Sequence, residues 1–133
     1  MQTTLLAEGD NLAEANAFLH GCWERESLPE ELRFRFELAL EEVFINVVMH
    51  GGSEQGPSTV WLELERADGR LNLSLSDNGP AFDPLALPTP DLDAPLEERP
   101  VGGLGVHLVR EMMDGVSYAY RDGRNTLSMW KRI

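Results

Sequence analysis

Lysine is almost missing from this chain: Lys131 is the only one among 133 residues. P-loop nucleotidases and eukaryotic-type protein kinases both set a lysine on the nucleotide phosphates, and neither G-x-x-x-x-G-K-[ST] nor H-R-D occurs. A phosphate site would therefore have to be built from a metal, backbone N–H groups and arginines. Cysteine is equally scarce. Cys22 stands alone, which excludes an internal disulfide framework and a thiolate zinc cluster, so a reducing cytoplasm is the expected location. No apolar run approaches the ~18 residues of a membrane span, and MQTTLLAEGD lacks the basic region and apolar core of a signal peptide. No membrane association is expected. Basic residues are outnumbered 11 to 23 by acidic ones, a net charge of −12. Nucleic acid phosphates would be repelled, whereas a protein partner with a basic patch would be attracted.

The apolar content of 42% is ordinary for a globular protein, and residues 1–133 have the length of one domain. Residues 3–8 suit a short strand. Asp10 or Asn11 can cap a helix running to about Glu26. Pro29 suits the first turn of a second helix, Glu30 to His50, which ends at Gly51-Gly52. Its two apolar lines, Phe36, Leu40, Val43, Val47 and Phe34, Leu38, Ile45, Val48, predict a largely buried helix. Alternation predicts strands over Val60–Glu65 and Leu71–Ser76, joined at Asp68-Gly69, and a last hairpin over Val116–Arg121 and Thr126–Arg132, joined at Asp122-Gly123. Residues 79–101 hold six of the eight prolines and read as a lid or binding loop, followed by a helix from about Gly103 to Met113. Strands and helices are segregated, which predicts an α+β fold with helices on one face of a mostly antiparallel sheet.

Polar residues interrupt this pattern at four places. Glu42 and Asn46 sit one turn apart within an apolar helix, where a buried polar group without partners costs roughly 2–7 kcal/mol. They can bond nearby backbone or form a solvated edge. Alternatively, Asn46 offers its carbonyl oxygen to Mg²⁺, and Glu42 accepts a proton from an attacking hydroxyl or water. His50, a further turn along, suits the helix C-terminus as a dipole partner. Asp77-Asn78-Gly79-Pro80 is a turn by composition, or Asp77 is an acceptor for an adenine amino group with Gly79 admitting the base. Gly102-Gly103-Leu104-Gly105 opens a helix as a hinge, or as an anion-facing set of N–H groups. Thr126 is at home in a strand for propensity alone. Trp23, Trp61 and Trp130 are expected in packing roles.

The stretches ELALEEVFINVVMHGG, SDNGPAFDP, PLEERPVGGLGVHLVREMMDGVSY and GRNTLSMWKR resemble the GHKL (Bergerat-fold) ATP-binding superfamily. More narrowly, they resemble its bacterial anti-sigma-factor serine/threonine kinases, over roughly residues 30–132. The resemblance implies a two-layer sandwich of helices on a mixed, mainly antiparallel sheet, often a homodimer. It makes Glu42 the catalytic base and Asn46 the magnesium ligand. Asp77 and Gly79 become adenine-site residues, Gly103, Leu104 and Gly105 the second glycine box, and Thr126 the residue completing the adenine pocket. ATP and Mg²⁺ are the implied cofactors. A STAS-type anti-sigma-factor antagonist is the implied phosphoacceptor, and a sigma factor the protein held inactive.

Two functions follow. One is a Mg-ATP-dependent protein serine/threonine kinase that also sequesters a regulator. The other is a non-catalytic ATP-binding switch acting on a protein partner. Glu42 separates them, because a binding module has no use for a base. A sensor histidine kinase would need a phosphoacceptor helix pair, which the sequence does not show.

Overall fold

The computed structural model describes residues 1–52, 54–86 and 103–133. The elements run β1 (Gln2–Leu6), α1 (Leu12–Arg25), α2 (Glu30–His50), β2 (Thr59–Ala67), β3 (Arg70–Asp77), α3 (Gly103–Met112), β4 (Gly115–Arg121) and β5 (Arg124–Arg132), with a short 3₁₀ turn at Pro84–Ala86. The strands form one sheet in the order β1-β2-β3-β5-β4, and every pairing is antiparallel. The helices pack on one face of it, giving the α+β sandwich. The expected lid residues 87–101 lie outside the described residues.

Both tight hairpins form for the expected reason. Asp68 and Gly69 adopt φ of 54° and 72°, and Asp122 and Gly123 adopt 54° and 78°. Positive φ at both central positions matches the twist of paired strands. Register then follows from alternation: Val60, Leu62 and Leu64 of β2, Leu71, Leu73 and Leu75 of β3, and Leu127 and Met129 of β5 all bury on the helix side. The opposite face carries hydroxyls in pairs, with Ser76 to Thr126 at 2.9 Å and Ser74 to Ser128 at 3.2 Å. Trp61 and Trp130 lie on this open face, each capped by a guanidinium, Arg124 at 3.7 Å and Arg70 at 3.8 Å. Trp23 is in the core and tilts against Phe36.

α2 is the central helix and contacts both α1 and α3. Its bounds are those the sequence predicts, but its burial is not. Phe36, Leu40, Val43 and Val47 are buried, whereas Phe34 is 70% and Ile45 38% exposed. A two-layer sandwich offers α2 one covered side, so Phe34 and Ile45 of its second apolar line face out, while Val48 packs against the core. The helix ends also differ in detail. The Asn11 side chain makes no cap bond to α1 and instead donates to the Leu6 carbonyl at 2.9 Å. Gly51 ends α2 with φ of −90°, so it is not a left-handed cap.

Leu73→Ala is expected to lower stability by about 2–5 kcal/mol through the cavity it leaves. Phe34→Ser should stay within about 0.5 kcal/mol, as an exposed position does. Urea unfolding midpoints measure both. Equal losses would mean that the outer face of α2 is covered in the intact protein.

Candidate nucleotide site

Asp77 ends β3 on the buried side, continuing the line of Leu71, Leu73 and Leu75. A carboxylate buried there needs donors. Its Oδ1 accepts from the Gly79 N–H at 2.9 Å and from Asn125 Nδ2 at 3.1 Å. Burial pushes the Asp77 carboxyl above the ordinary aspartate range, outweighing these two hydrogen bonds, which lower it. Oδ2 accepts no hydrogen bond among the described residues.

Asn125 organises the turn around Asp77. Its Oδ1 accepts from the Phe82 N–H at 3.0 Å and from the Tyr118 hydroxyl. Its Nδ2 reaches the carbonyls of Pro80 at 3.0 Å and Gly79 at 3.3 Å as well as Asp77. One buried amide thus fixes the 77–82 segment from both ends of its side chain.

A cavity of about 380 Å³, counting the open space at its mouth, sits above Asp77. Val43, Val47, Leu75 and Leu127 supply apolar wall, and Asn46, Asp77 and Asn125 supply polar groups. Apolar walls with a few convergent polar groups are the usual form of a small-molecule site. His50 lines the cavity too, stacked on Phe82 with ring centroids 4.5 Å apart and planes 16° apart. It is therefore part of the wall and more than a dipole partner.

Asn46 is buried, and its Oδ1 has no hydrogen-bond partner among the described residues. An orphaned buried acceptor costs about 1–3 kcal/mol, and a hard cation that prefers oxygen ligands would satisfy it. The residues present fit a magnesium ion. One turn earlier, Glu42 meets α3: a Cβ built on Gly105 would lie 2.2 Å from Glu42 Oε2. A side chain at 105 would push this carboxylate aside. Burial, and then the charge of Glu41, raise the Glu42 carboxyl above its ordinary range.

Gly79 has a structural reason of its own. A Cβ there would lie 2.3 Å from the Gly51 carbonyl oxygen and 2.8 Å from Ser58 Oγ. The same carbonyl accepts the Ser58 hydroxyl, and the Thr59 N–H donates to Asn78 Oδ1 at 2.8 Å, so the start of β2 holds the 77–80 turn against the end of α2. Gly103 and Leu104 begin α3; their surroundings lie outside the described residues, as does Gly102.

Thr126 requires a correction. It pairs with Ser76 on the open face of the sheet and does not line the cavity. Its neighbour Asn125 occupies the place assigned to it. Alternation carried the signal: Leu127 and Met129 mark the buried side of β5, and a period of two puts 125 there and 126 opposite. Tyr118 and the His50–Phe82 stack were not anticipated, because their roles depend on register and loop path.

A family profile described as the histidine kinase-like ATPase domain matches residues 5–131. The chain belongs to that family. It is 33% identical over 105 residues to the serine/threonine-protein kinase BtrW of Bordetella bronchiseptica, covering 79% of this chain and 74% of BtrW. It is 30% identical over 96 residues to the serine-protein kinase RsbW of Bacillus cereus, covering 68% of this chain and 59% of that protein. The chain thus spans less than two thirds of the RsbW protein. In three dimensions it resembles the RsbU and RsbW domains of Rv1364c from Mycobacterium tuberculosis, with a TM-score of 0.68 at 16% identity, over 99% of this chain and 32% of that one. That likeness shows the fold, and the sequence match shows the histidine kinase-like ATPase membership.

Asn125→Ala should release Asp77 and the 77–82 turn and weaken ATP binding about tenfold or more, the worth of a charge-assisted hydrogen bond. Thr126→Val, on the other face, should leave affinity within about twofold. Calorimetric titration with ATP compares them. The reverse ranking would return Thr126 to the pocket.

Proposed function

We propose that this protein is a Mg-ATP-dependent protein serine/threonine kinase that phosphorylates a STAS-type anti-sigma-factor antagonist and holds a sigma factor inactive. The observation that carries the catalytic part is the pair on α2. Glu42 is a partly buried carboxylate of raised proton affinity, and Asn46, one turn on, presents an unpartnered buried oxygen. A module that only binds nucleotide needs the second and not the first. The names of the kinases BtrW and RsbW support the same reading. The partners rest on the resemblance to the anti-sigma-factor kinases, and the homodimer and cytoplasmic location belong with them. Among the described residues no helix is long and apolar enough to cross a membrane.

In this reading Asp77 Oδ2 accepts the adenine amino group, with Oδ1 already held by Gly79 and Asn125. The apolar walls from α2 and β5 exclude water from the base. Asn46 would hold the magnesium ion, which when bound neutralises phosphate charge. No lysine or arginine lines the cavity among the described residues, so the amides at the start of α3 supply positive potential instead. Glu42 takes the proton of the attacking serine or threonine hydroxyl as its oxygen bonds to the γ-phosphorus. The bond from that phosphorus to the bridging oxygen breaks, and ADP leaves with the electron pair. A carboxylate of raised pKa holds that proton better than an exposed one.

Glu42→Gln should bind ATP nearly as wild type while phosphorylating a STAS partner about 10²-fold more slowly, the lower end for a general base, since loose transition states need less help. Asn46→Ala should weaken Mg-ATP binding as well as transfer. Phosphorylation with labelled ATP and ATP titration separate the two. Wild-type transfer by Glu42→Gln would make the carboxylate structural, and no transfer by wild type to any STAS partner would leave the ATP-binding switch.

Acidification gives a further expected outcome. The folded chain holds the Asp77 proton more tightly than the unfolded chain does. Ionising it therefore costs stability as pH rises from the ordinary value, about 3.9, through the raised one. Adenine needs the ionised acceptor, so ATP affinity should move oppositely, falling as pH drops through that raised value. Titrations across an acidic pH series check this. A decline confined to the ordinary aspartate range would contradict it.

A further inference from the structure

The outer face of α2 is not used by the nucleotide site. Phe34, Leu38, Ile45 and Met49 recur along it at helical spacing, with Phe34 near one end the most exposed and Met49 near the other end 49% exposed. Single exposed apolar side chains are ordinary, but a row of them on one helix marks an interaction surface. Beside this row α1 presents Ala13, Ala17 and Gly21, one turn apart. The α1–α2 hairpin therefore holds a groove with Phe34 and Leu38 on the α2 wall and these small residues set among polar side chains on the α1 wall. Asn16 lines it, and its Oδ1 is buried without a partner among the described residues.

The carboxylates that line the groove outnumber the cations at its edge, where the Arg25 guanidinium lies beside Gly21. Glu24, Glu37 and Glu41 line it with His20, which lies 3.2 Å from Glu24 and 4.0 Å from Glu37. Arg33 reaches Glu37 at 3.6 Å from outside the lining. No lysine or arginine lines the groove.

We propose that this groove docks a basic amphipathic α-helix of a protein partner. Two helices with positions spaced by one turn accept the side chains of a third along its apolar face. Basic residues flanking that face would meet the glutamates. A second copy of this chain fits poorly, because it brings the same glutamates and a net charge of −12, and like charges oppose each other across an interface. The groove shares no lining residue with the nucleotide cavity. Glu41 lies on the groove side of α2, whereas its neighbour Glu42 meets α3. Docking there requires no phosphoryl transfer.

The test uses a synthetic helix of leucine, alanine and lysine with leucines at i, i+3, i+4 and i+7, and a scrambled peptide of identical composition. Fluorescence anisotropy reads binding to the full chain. The amphipathic peptide should bind about tenfold or more tightly than the scramble, and Phe34→Asp should remove that advantage, as loss of an apolar anchor does. Glu24→Lys with Glu37→Lys should remove it by charge. ATP titration and the urea midpoint, measured on each variant, show that the fold and nucleotide site persist. Equal binding of the two peptides, or an unchanged advantage in Phe34→Asp, would overturn the groove and leave the kinase reading standing. So would sedimentation showing a wild-type dimer that Phe34→Asp dissociates, because the face would then belong to a second copy.

Discussion

A two-layer sandwich has one interior, and α2 fills most of it here. Its inner line of Phe36, Leu40, Val43 and Val47 lies on the buried side chains of β2, β3 and β5. Every other feature depends on that contact. It carries Asn46 into the core end beside Asp77, where neither group would persist without a compensating partner. It sets Gly51 against the 77–80 turn so closely that position 79 must be glycine. It also sets Glu42 at the height where α3 passes, with its carboxylate against Gly105. The glycine at 79, which a motif reading assigns to the nucleotide, is thus required by packing alone. The two demands coincide, because a turn clamped to a helix end is also a rigid floor for a ligand.

Most of the fold was legible because it rests on local chemistry. The Asp-Gly pairs at 68–69 and 122–123 specify hairpins by their positive φ, and period-two alternation fixes which side of each strand is buried. The bounds of α2 were legible from Pro29 and Gly51. Its burial was not, since an apolar stripe records that something covers a helix without saying whether the cover belongs to the same chain. Phe34 shows the difference. Its residue type argues for burial, and the sandwich has no layer to bury it.

The site was legible to a similar depth. Glu42 and Asn46 stand out in the sequence as polar residues in an apolar helix, and Asp77 as the first residue of a turn after a strand; the structure sets Asn46 and Asp77 in one cavity, while Glu42 faces α3 outside its lining. Thr126 was assigned by position in a resembling stretch, and a one-residue step in a strand moves a side chain to the other face. The buried line of Leu127 and Met129 would have given Asn125. The Tyr118 hydroxyl and the Phe82 N–H converge on Asn125 from a different strand and a loop, and nothing local in the sequence connects them.

The scarcity of lysine gains a physical meaning from this geometry. The cavity is lined by two groups that favour protons more than usual or lack a partner, Asp77 and Asn46, and by no fixed cation among the described residues. An anionic nucleotide entering a chain of net charge −12 meets unfavourable long-range potential, so its affinity must come from short-range contacts and from whatever positive charge arrives with it. In the proposed reading that charge is a divalent ion on the unpartnered oxygen of Asn46. The same acidic surface attracts basic protein, and the α1–α2 groove is where that attraction coincides with exposed apolar area. The two ligands therefore approach α2 from opposite sides. One is repelled by the charge of the chain and held by its interior, and the other is drawn by the charge and held by the face that the interior leaves uncovered.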